Sequence, residues 1–301
     1  MFVRLLAVMA AAALAGCAPI PSPAQLPDAR AQGTALAQSC VGREGWSDAA
    51  PPARIFGNVY YVGTCGISVL LITSPQGHVL IDSATPEAVP SIIANIRILG
   101  FDPNDVRIIV GSHEHLDHMG GLAAFKAATG AQIWVSEAAR PTIETGRTEP
   151  TDPIYGMFDP MTAVDVHGVV HDGEPLRIGD DAISLTPVAT PGHTSGGTSW
   201  SWRACEGANC ANIAYVDSLT MVSRDDYRFT DHPERVAPLR STFVRVSNMP
   251  CDILITPHPD FSNLFERLSG TEPLVDRDAC RRLVGRMRVR LDERLAREAT
   301  P

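Results

Sequence analysis

The stretch "VGSHEHLDHMGG", residues 110–121, carries three histidines, a glutamate and an aspartate within six consecutive positions. Directly before it, Val106–Val110 is a short run rich in β-branched residues, which predicts a buried strand. In α/β folds, the functional side chains usually lie at the carboxyl ends of such strands. His113 and His115 are two positions apart, so on an extended segment both imidazoles point the same way. The stretch therefore predicts an α/β fold with a metal site at a strand end.

Two distant histidines have the same setting. His193 lies in "ATPGHTSGG" after a predicted strand at 182–188, and His258 lies in "LITPHPD" after a predicted strand at 253–256. Imidazole and carboxylate ligands suit zinc, and a catalytic zinc keeps one position open for water. A lone histidine is more often a surface or packed residue. We therefore do not expect metal binding by the remaining histidines, which are His78, His167, His171 and His232.

Composition limits the classes of function. The chain has 301 residues, 45% of them hydrophobic, and a formal net charge of −9. The only basic stretch is a predicted amphipathic helix at 275–299, with apolar side chains at four-residue spacing from Leu283 to Leu295. This balance argues against nucleic-acid binding, which requires a basic surface. Residues 140–173 are rich in Pro, Asp and Gly and predict a long loop.

The N-terminus has the features of an export signal. A positive charge at Arg4 precedes apolar residues 5–14, which are too few to span a bilayer. The sequence "LAGC" then resembles a bacterial lipobox, which predicts cleavage before Cys17 and lipidation of that cysteine. Ordinary signal-peptide cleavage after Ala15 or Ala18 is the alternative.

The rest of the chain is expected to form one domain outside the cytoplasm. Residues 18–39 begin with a Pro- and Ala-rich segment and predict a tether, and residues 40–301 predict a single domain. We expect a periplasmic protein, held at the outer membrane if Cys17 is lipidated.

The cysteine count agrees with export. Without Cys17 six cysteines remain, an even number that suggests disulfides in an exported chain. Six cysteines allow 15 connectivities. The short tip "CEGANC" favours one local pair, with neighbouring pairs for the rest, and free buried thiols are the alternative. The favoured pairs are Cys205–Cys210, Cys40–Cys65 and Cys251–Cys280.

Several motifs together resemble a known family. "SHEHLDHMGG", "TPGHTSGG" and "TPHPD" look like the metallo-β-lactamase superfamily. "AYVDSLT", the C-terminal "DACRRLVGRMRVRLDERLA" and residues 54–85 resemble the third subclass of the class B β-lactamases. The resemblance runs from about residue 40 to residue 299. It implies a four-layer αββα sandwich with the metal site at one edge, between two sheets.

The resemblance also implies roles for individual residues. It assigns His113, His115 and His193 to a first zinc, and Asp117, His118 and His258 to a second zinc. It assigns Ser218 and Thr220 to the substrate carboxylate.

In this family two Zn²⁺ ions lower the pKa of water to about 7, so that hydroxide attacks the β-lactam carbonyl. Asp117 would be the catalytic residue that orients this hydroxide. The expected substrates are penicillins, cephalosporins and carbapenems, and the expected state is a monomer.

Two other functions remain open at this point. Another exported hydrolase of the superfamily, a lactonase or thiolester hydrolase, would use Asp217 as a ligand bridging the metals. A tethered binding protein without activity is a more remote alternative, because such a protein should have lost ligands. Glu114 is expected to face solvent, with support of the metal ligands as the alternative.

Overall fold

The structure is a computed structural model that describes residues 28–179 and 182–300. The predicted signal peptide, Cys17 and residues 18–27 of the predicted tether lie outside the described residues. Within the described part, no helix combines the length and apolar character needed to cross a membrane.

Seven strands form the first sheet, in the same order as in the sequence. The first three pairings are antiparallel and the last three are parallel. The strand predicted before the histidine cluster is central in this sheet, and only its Arg107 is exposed, as expected for a strand covered on both faces. The strands are β1 Ala53–Phe56, β2 Val59–Tyr61, β3 Leu70–Ile72, β4 His78–Ile81, β5 Val106–Val110, β6 Gln132–Ser136 and β7 Gly168–Val170.

Five strands form the second sheet, in the order β12-β11-β10-β9-β8. The pairing of β11 with β12 is parallel, and the other pairings are antiparallel. The strands are β8 Leu176–Ile178, β9 Ile183–Ala189, β10 Thr198–Glu206, β11 Asn209–Tyr215 and β12 Ile253–Ile255.

Eight α-helices accompany the two sheets in the described part of the chain. They are α1 Ala29–Ser39, α2 Val89–Ile98, α3 Leu116–Met119, α4 Leu122–Thr129, α5 Arg140–Thr145, α6 Pro233–Ser247, α7 Leu264–Ser269 and α8 Ala279–Glu298.

Three apolar layers hold this arrangement together. One lies between the two sheets and contains Trp200. The second joins α2 and α4 to the outer face of the first sheet through side chains such as Phe125. The third joins α6 and α8 to the second sheet through side chains such as Phe243. Each such fully buried side chain contributes about 1.5–3 kcal/mol relative to an exposed one. The predicted four-layer αββα sandwich is confirmed.

Two local predictions differ from the structure. The C-terminal part of the predicted tether is helix α1, whose Leu36 is fully buried. The domain therefore begins before residue 40. The long loop predicted at 140–173 contains α5 at one end and β7 near the other. Both elements are short, and neither has the apolar periodicity by which helices and strands are recognised.

All three favoured disulfides are present. Their Cα atoms lie 5.3 Å apart in Cys40–Cys65, 4.0 Å in Cys205–Cys210 and 6.3 Å in Cys251–Cys280. The second pair joins directly opposed residues of the β10–β11 hairpin.

Polar residues gather where strands of both sheets end. Asp82 follows β4, His113 follows β5, His193 follows β9, Asp217 follows β11 and His258 follows β12. Hydrogen bonds among these segments join the sheets: Thr198 donates its N–H to the carbonyl of Ser112 at 2.7 Å. One edge of the sandwich thus collects the candidate functional residues.

Candidate metal centre

His113, His115 and His193 form the first cluster of donors. Their ring centroids lie 4.7–4.9 Å apart, and one nitrogen from each lies within 4.8 Å of the others. Nε2 of His113 is buried and has no hydrogen-bond partner among the described residues. An unpaired buried nitrogen is costly unless a ligand binds it, so this atom is a candidate metal donor.

Asp117, His118 and His258 form the second cluster. Nε2 of His118 lies 3.1 Å from Oδ2 of Asp117 and 3.3 Å from Nε2 of His258, which lies 3.4 Å from the same carboxylate oxygen. Donors bonded at 2.0–2.1 Å around a tetrahedral zinc are separated by roughly 3.3 Å. The triangle therefore has the size that a zinc ion requires, and the residues present fit the metal.

The histidine nitrogens that face away from the first cluster have partners of their own. Nδ1 of His113 lies 2.8 Å from the Asp217 carboxylate, and Nε2 of His115 lies 3.4 Å from the carboxylate of Asp152. Nδ1 of His193 donates to the carbonyl of Thr220 at 2.9 Å. Such contacts fix ring orientation and tautomer, which leaves the other nitrogen as a metal donor.

Burial and neighbouring charge set the protonation of the ligands. Burial lowers the pKa of His193 to about 3, and burial with the nearby His118 lowers that of His113 well below its usual value. Burial alone would lower the pKa of His118, but the carboxylates of Asp117 and Asp82 raise it to about 10. Neutral imidazoles beside an ionised carboxylate are the donor set a divalent cation prefers, and a bound cation would replace the His118 proton.

Asp82 connects the strand ends beneath the clusters. It lies in the left-handed region at φ 64°, which is uncommon for a residue other than glycine. Its carboxylate accepts the N–H and hydroxyl of Ser112 at 2.6 and 2.8 Å and the hydroxyl of Tyr215 at 2.7 Å. It also lies 3.3 Å from Nδ1 of His118. One buried carboxylate thus orients β4, β5, β11 and a ligand of the second cluster.

Comparisons with known proteins agree with this geometry. Residues 62–258 match the sequence profile described as the metallo-beta-lactamase superfamily. The chain belongs to this superfamily. The crystal structure of the metallo-beta-lactamase MIM-1 from Novosphingobium pentaromativorans is 49% identical, with a TM-score of 0.85 over 88% of this chain and 98% of that one. BJP-1 of Bradyrhizobium japonicum, a subclass B3 enzyme, is 30% identical with a TM-score of 0.77, over 84% of this chain and 96% of that one. The expected resemblance to the third subclass is confirmed.

Curated relatives match over shorter stretches. Human metallo-beta-lactamase domain-containing protein 1 is 31% identical over 44% of this chain and 40% of its own length. The N-acyl homoserine lactonase AttM of Agrobacterium fabrum is 33% identical over 21% of this chain and 32% of its own length. The chain thus spans less than half the length of either protein.

The two donor clusters of this superfamily member lie at the floor of a groove of about 650 Å³. His115, Asp117, His193 and His258 line it, as does Thr220. The structure therefore brings the predicted substrate-binding Thr220 to the groove. Ser218, the other predicted substrate contact, is nearly buried and lines a small adjoining cavity shared with Thr220 and His258.

Two residues differ from their expected positions. Glu114 was expected to face solvent but is buried, and it accepts hydrogen bonds from Thr194 and Gly196. Asp217, suggested as a bridging ligand, contacts the outer nitrogen of His113, and it is not part of either group of clustered donor atoms in the described chain. Burial raises the pKa of Asp217 well above its usual value.

Sequence reasoning missed Asp82 and Asp152. Asp82 directly follows β4, so the strand-end signal that identified the histidines could have found it. Asp152 lies in the segment predicted as a loop, and no local pattern marks it. Its approach to His115 exists only because the chain folds back over 37 positions.

Proposed function

We propose that the protein hydrolyses the amide bond of β-lactams with two bound zinc ions, and thereby confers resistance to penicillins, cephalosporins and carbapenems. The observation that carries this proposal is the pair of complete donor clusters, side by side at the floor of one groove. The identity of 49% with a metallo-beta-lactamase over nearly all of that enzyme supports the substrate class.

We assign a role to each residue from its position in the site. His113, His115 and His193 would hold one zinc, and Asp117, His118 and His258 the other. Bound zinc would supply Lewis acidity, which lowers the pKa of water and polarises a carbonyl. Asp117 would orient the attacking water and accept its proton. The hydroxyl of Thr220 would hydrogen-bond the substrate carboxylate at the groove wall, beside His193, and Ser218 in the adjoining cavity would contact that carboxylate through water.

The test is hydrolysis of one penicillin, one cephalosporin and one carbapenem by the purified full-length protein, followed by absorbance with zinc and with a chelator. Chelator-sensitive turnover is expected for all three. Asp117→Ala should lower kcat/KM by about 10²–10⁴-fold, the range for losing a proton-transfer group. Asp165→Ala is the matched control, because that side chain is fully exposed. Two bound zincs without turnover of any β-lactam would refute the proposal.

A lactonase activity is the second candidate, favoured by the partial matches to AttM proteins. The same preparation should be offered an N-acyl homoserine lactone, with ring opening followed by proton release. A kcat/KM for the lactone above that for every β-lactam would replace the first proposal with this one.

We further propose that the protein is exported as a monomer and anchored through a lipid on Cys17. Three disulfides in the domain support an oxidising compartment. Cys17→Ser should move the protein from the membrane fraction to the soluble periplasmic fraction. Unchanged fractionation of this variant would contradict the anchor.

A further inference from the structure

Glu114 lies between two ligands of the first cluster but does not line the groove. Its side chain is buried, 5% exposed. Oε2 accepts the hydroxyl of Thr194 at 2.8 Å, and Oε1 accepts the N–H of Gly196 at 2.9 Å. Among the described residues it forms no ion pair with Lys, Arg or His. The carboxylate is therefore committed to two hydrogen bonds.

These bonds connect the two loops that build the first cluster. Glu114 stands between His113 and His115 on one loop, and Thr194 directly follows His193 on the other. The Glu114 carboxylate packs closely against the backbone of Gly196, because a Cβ at Gly196 would come within 2.6 Å of Oε2 of Glu114. The carbonyl of Gly196 is held from the opposite side by the hydroxyl of Ser136 at 2.7 Å.

We infer that Glu114 is a positioning residue for the first metal. It fixes the distance of His193 from His113 and His115, so that three imidazoles from two loops meet at one point. This inference rests on the proposed metal chemistry but not on the identity of the substrate. The second cluster has no contact with Glu114, so its metal affinity should not depend on this residue.

Hydrogen bonding, and not charge, is the basis of this role. In E114Q the side-chain carbonyl can accept the Gly196 N–H while the amide donates to the Thr194 hydroxyl, so both contacts survive. In E114M the shape is similar but both contacts are lost, and the Gly196 N–H is left without its partner. Comparison of the two variants separates geometry from charge.

The experiment is a zinc titration of the metal-free protein against a chromophoric chelator. It is done in the otherwise intact chain and in a His258→Ala background, where only the first donor set remains complete. E114M should weaken zinc binding at the first site by about 10–100-fold, the range seen for partners that orient metal ligands. E114Q should bind like the wild type. Thr194→Val, which removes one of the two bonds, should lie between them.

Glu144→Met is the matched control, since Glu144 is exposed. Unchanged first-site affinity in E114M would overturn the inference, as would an equal loss at both sites, which indicates general destabilisation. E114Q as weak as E114M would assign the effect to charge and also overturn it. If E114M does not fold, Thr194→Val carries the test, and wild-type affinity in that variant overturns the inference. No β-lactam is used, so failure of the proposed substrate does not affect the result.

Discussion

The three imidazoles of the first cluster contact two carboxylates and one backbone carbonyl. His113 has a buried carboxylate at 2.8 Å, His193 has a backbone carbonyl at 2.9 Å, and His115 has the carboxylate of Asp152 at 3.4 Å. The last contact is long for a hydrogen bond, but it is the only one supplied by the irregular segment between α5 and β7. The position of that segment therefore affects the orientation of a metal ligand.

Removal of the His115–Asp152 contact should weaken zinc binding by the first cluster. Asp152→Ala is expected to lower first-site zinc affinity, or kcat/KM at limiting zinc, by about 10–100-fold, because His115 loses the group that fixes its ring. Asp159→Ala in the same segment is the control, since its side chain is exposed. Activity at limiting zinc is measured for both variants. Equal activity of the two would show that Asp152 only shapes the segment.

From the sequence, the donor side chains that cluster could be identified, but the residues that support them could not. The six ligands carry a local signal, because each stands near the end of a short apolar strand. Asp152 and Glu114 carry none: one lies in an irregular segment, and the other is a charged residue whose default environment is solvent. Their roles come from contacts over 37 and 80 positions, which exist only in the folded chain.

At the scale of elements, α1 packs against α7 at very short distance. A Cβ at Gly33 of α1 would lie 2.1 Å from the backbone oxygen of Leu268 on α7. Only glycine allows this approach, which buries Leu36 beside the layer between the sheets. Gly285 on α8 has the opposite setting, because its Cβ would contact nothing within 4 Å.

Substitution of the two glycines by alanine should therefore change the free energy of unfolding in opposite directions. Gly33→Ala should destabilise the protein, since overpacking against backbone costs about 1–3 kcal/mol while the gain in helix propensity is at most about 1 kcal/mol. Gly285→Ala should stabilise it by about 0.5–1 kcal/mol through propensity alone. Guanidinium unfolding of the zinc-loaded proteins gives both values. Stabilisation by both substitutions would mean that the α1–α7 contact leaves room for a methyl group at Gly33.

The same contact explains why helix α1 could not be predicted from the sequence. Strands such as β5 and the long helix α8 are recognised by apolar periodicity, which follows directly from burial on one or both faces. Helix α1 is short and rich in Ala, and its packing depends on a glycine and one leucine. In the sequence such a segment cannot be distinguished from the Pro- and Ala-rich stretch before it. Strand order was equally hidden, because it depends on pairings between distant segments.

For the molecule as a whole, the disulfides are expected to contribute unequally to the free energy of unfolding. Cys205–Cys210 closes a hairpin whose register is already fixed by the β10–β11 ladder, and both cysteines are exposed. Cys40–Cys65 is buried, spans 25 positions, and joins the segment after α1 to the turn between β2 and β3. Both of its cysteines line the groove. The Cys40–Cys65 bridge therefore links the global stability of the fold to the shape of one wall of the groove.

Removal of these two bridges should have different consequences. By chain entropy, loss of Cys40–Cys65 costs about 3–4 kcal/mol and loss of the short Cys205–Cys210 loop about 2 kcal/mol. The free-energy cost of losing Cys205–Cys210 should be smaller still, because the β10–β11 hydrogen bonds keep the two ends of the hairpin together without the disulfide. Paired Cys→Ala variants are compared by guanidinium unfolding and by β-lactam kinetics. We expect the Cys40/Cys65 variant to unfold at lower denaturant and to show a raised KM together with weaker zinc binding at the second cluster, because the carbonyl of Gly66, next to Cys65, accepts a hydrogen bond from Nδ1 of His258 at 3.1 Å. Equal midpoints and unchanged KM in both variants would mean that packing of α1 on α7, and not the bridge, holds this wall of the groove in place.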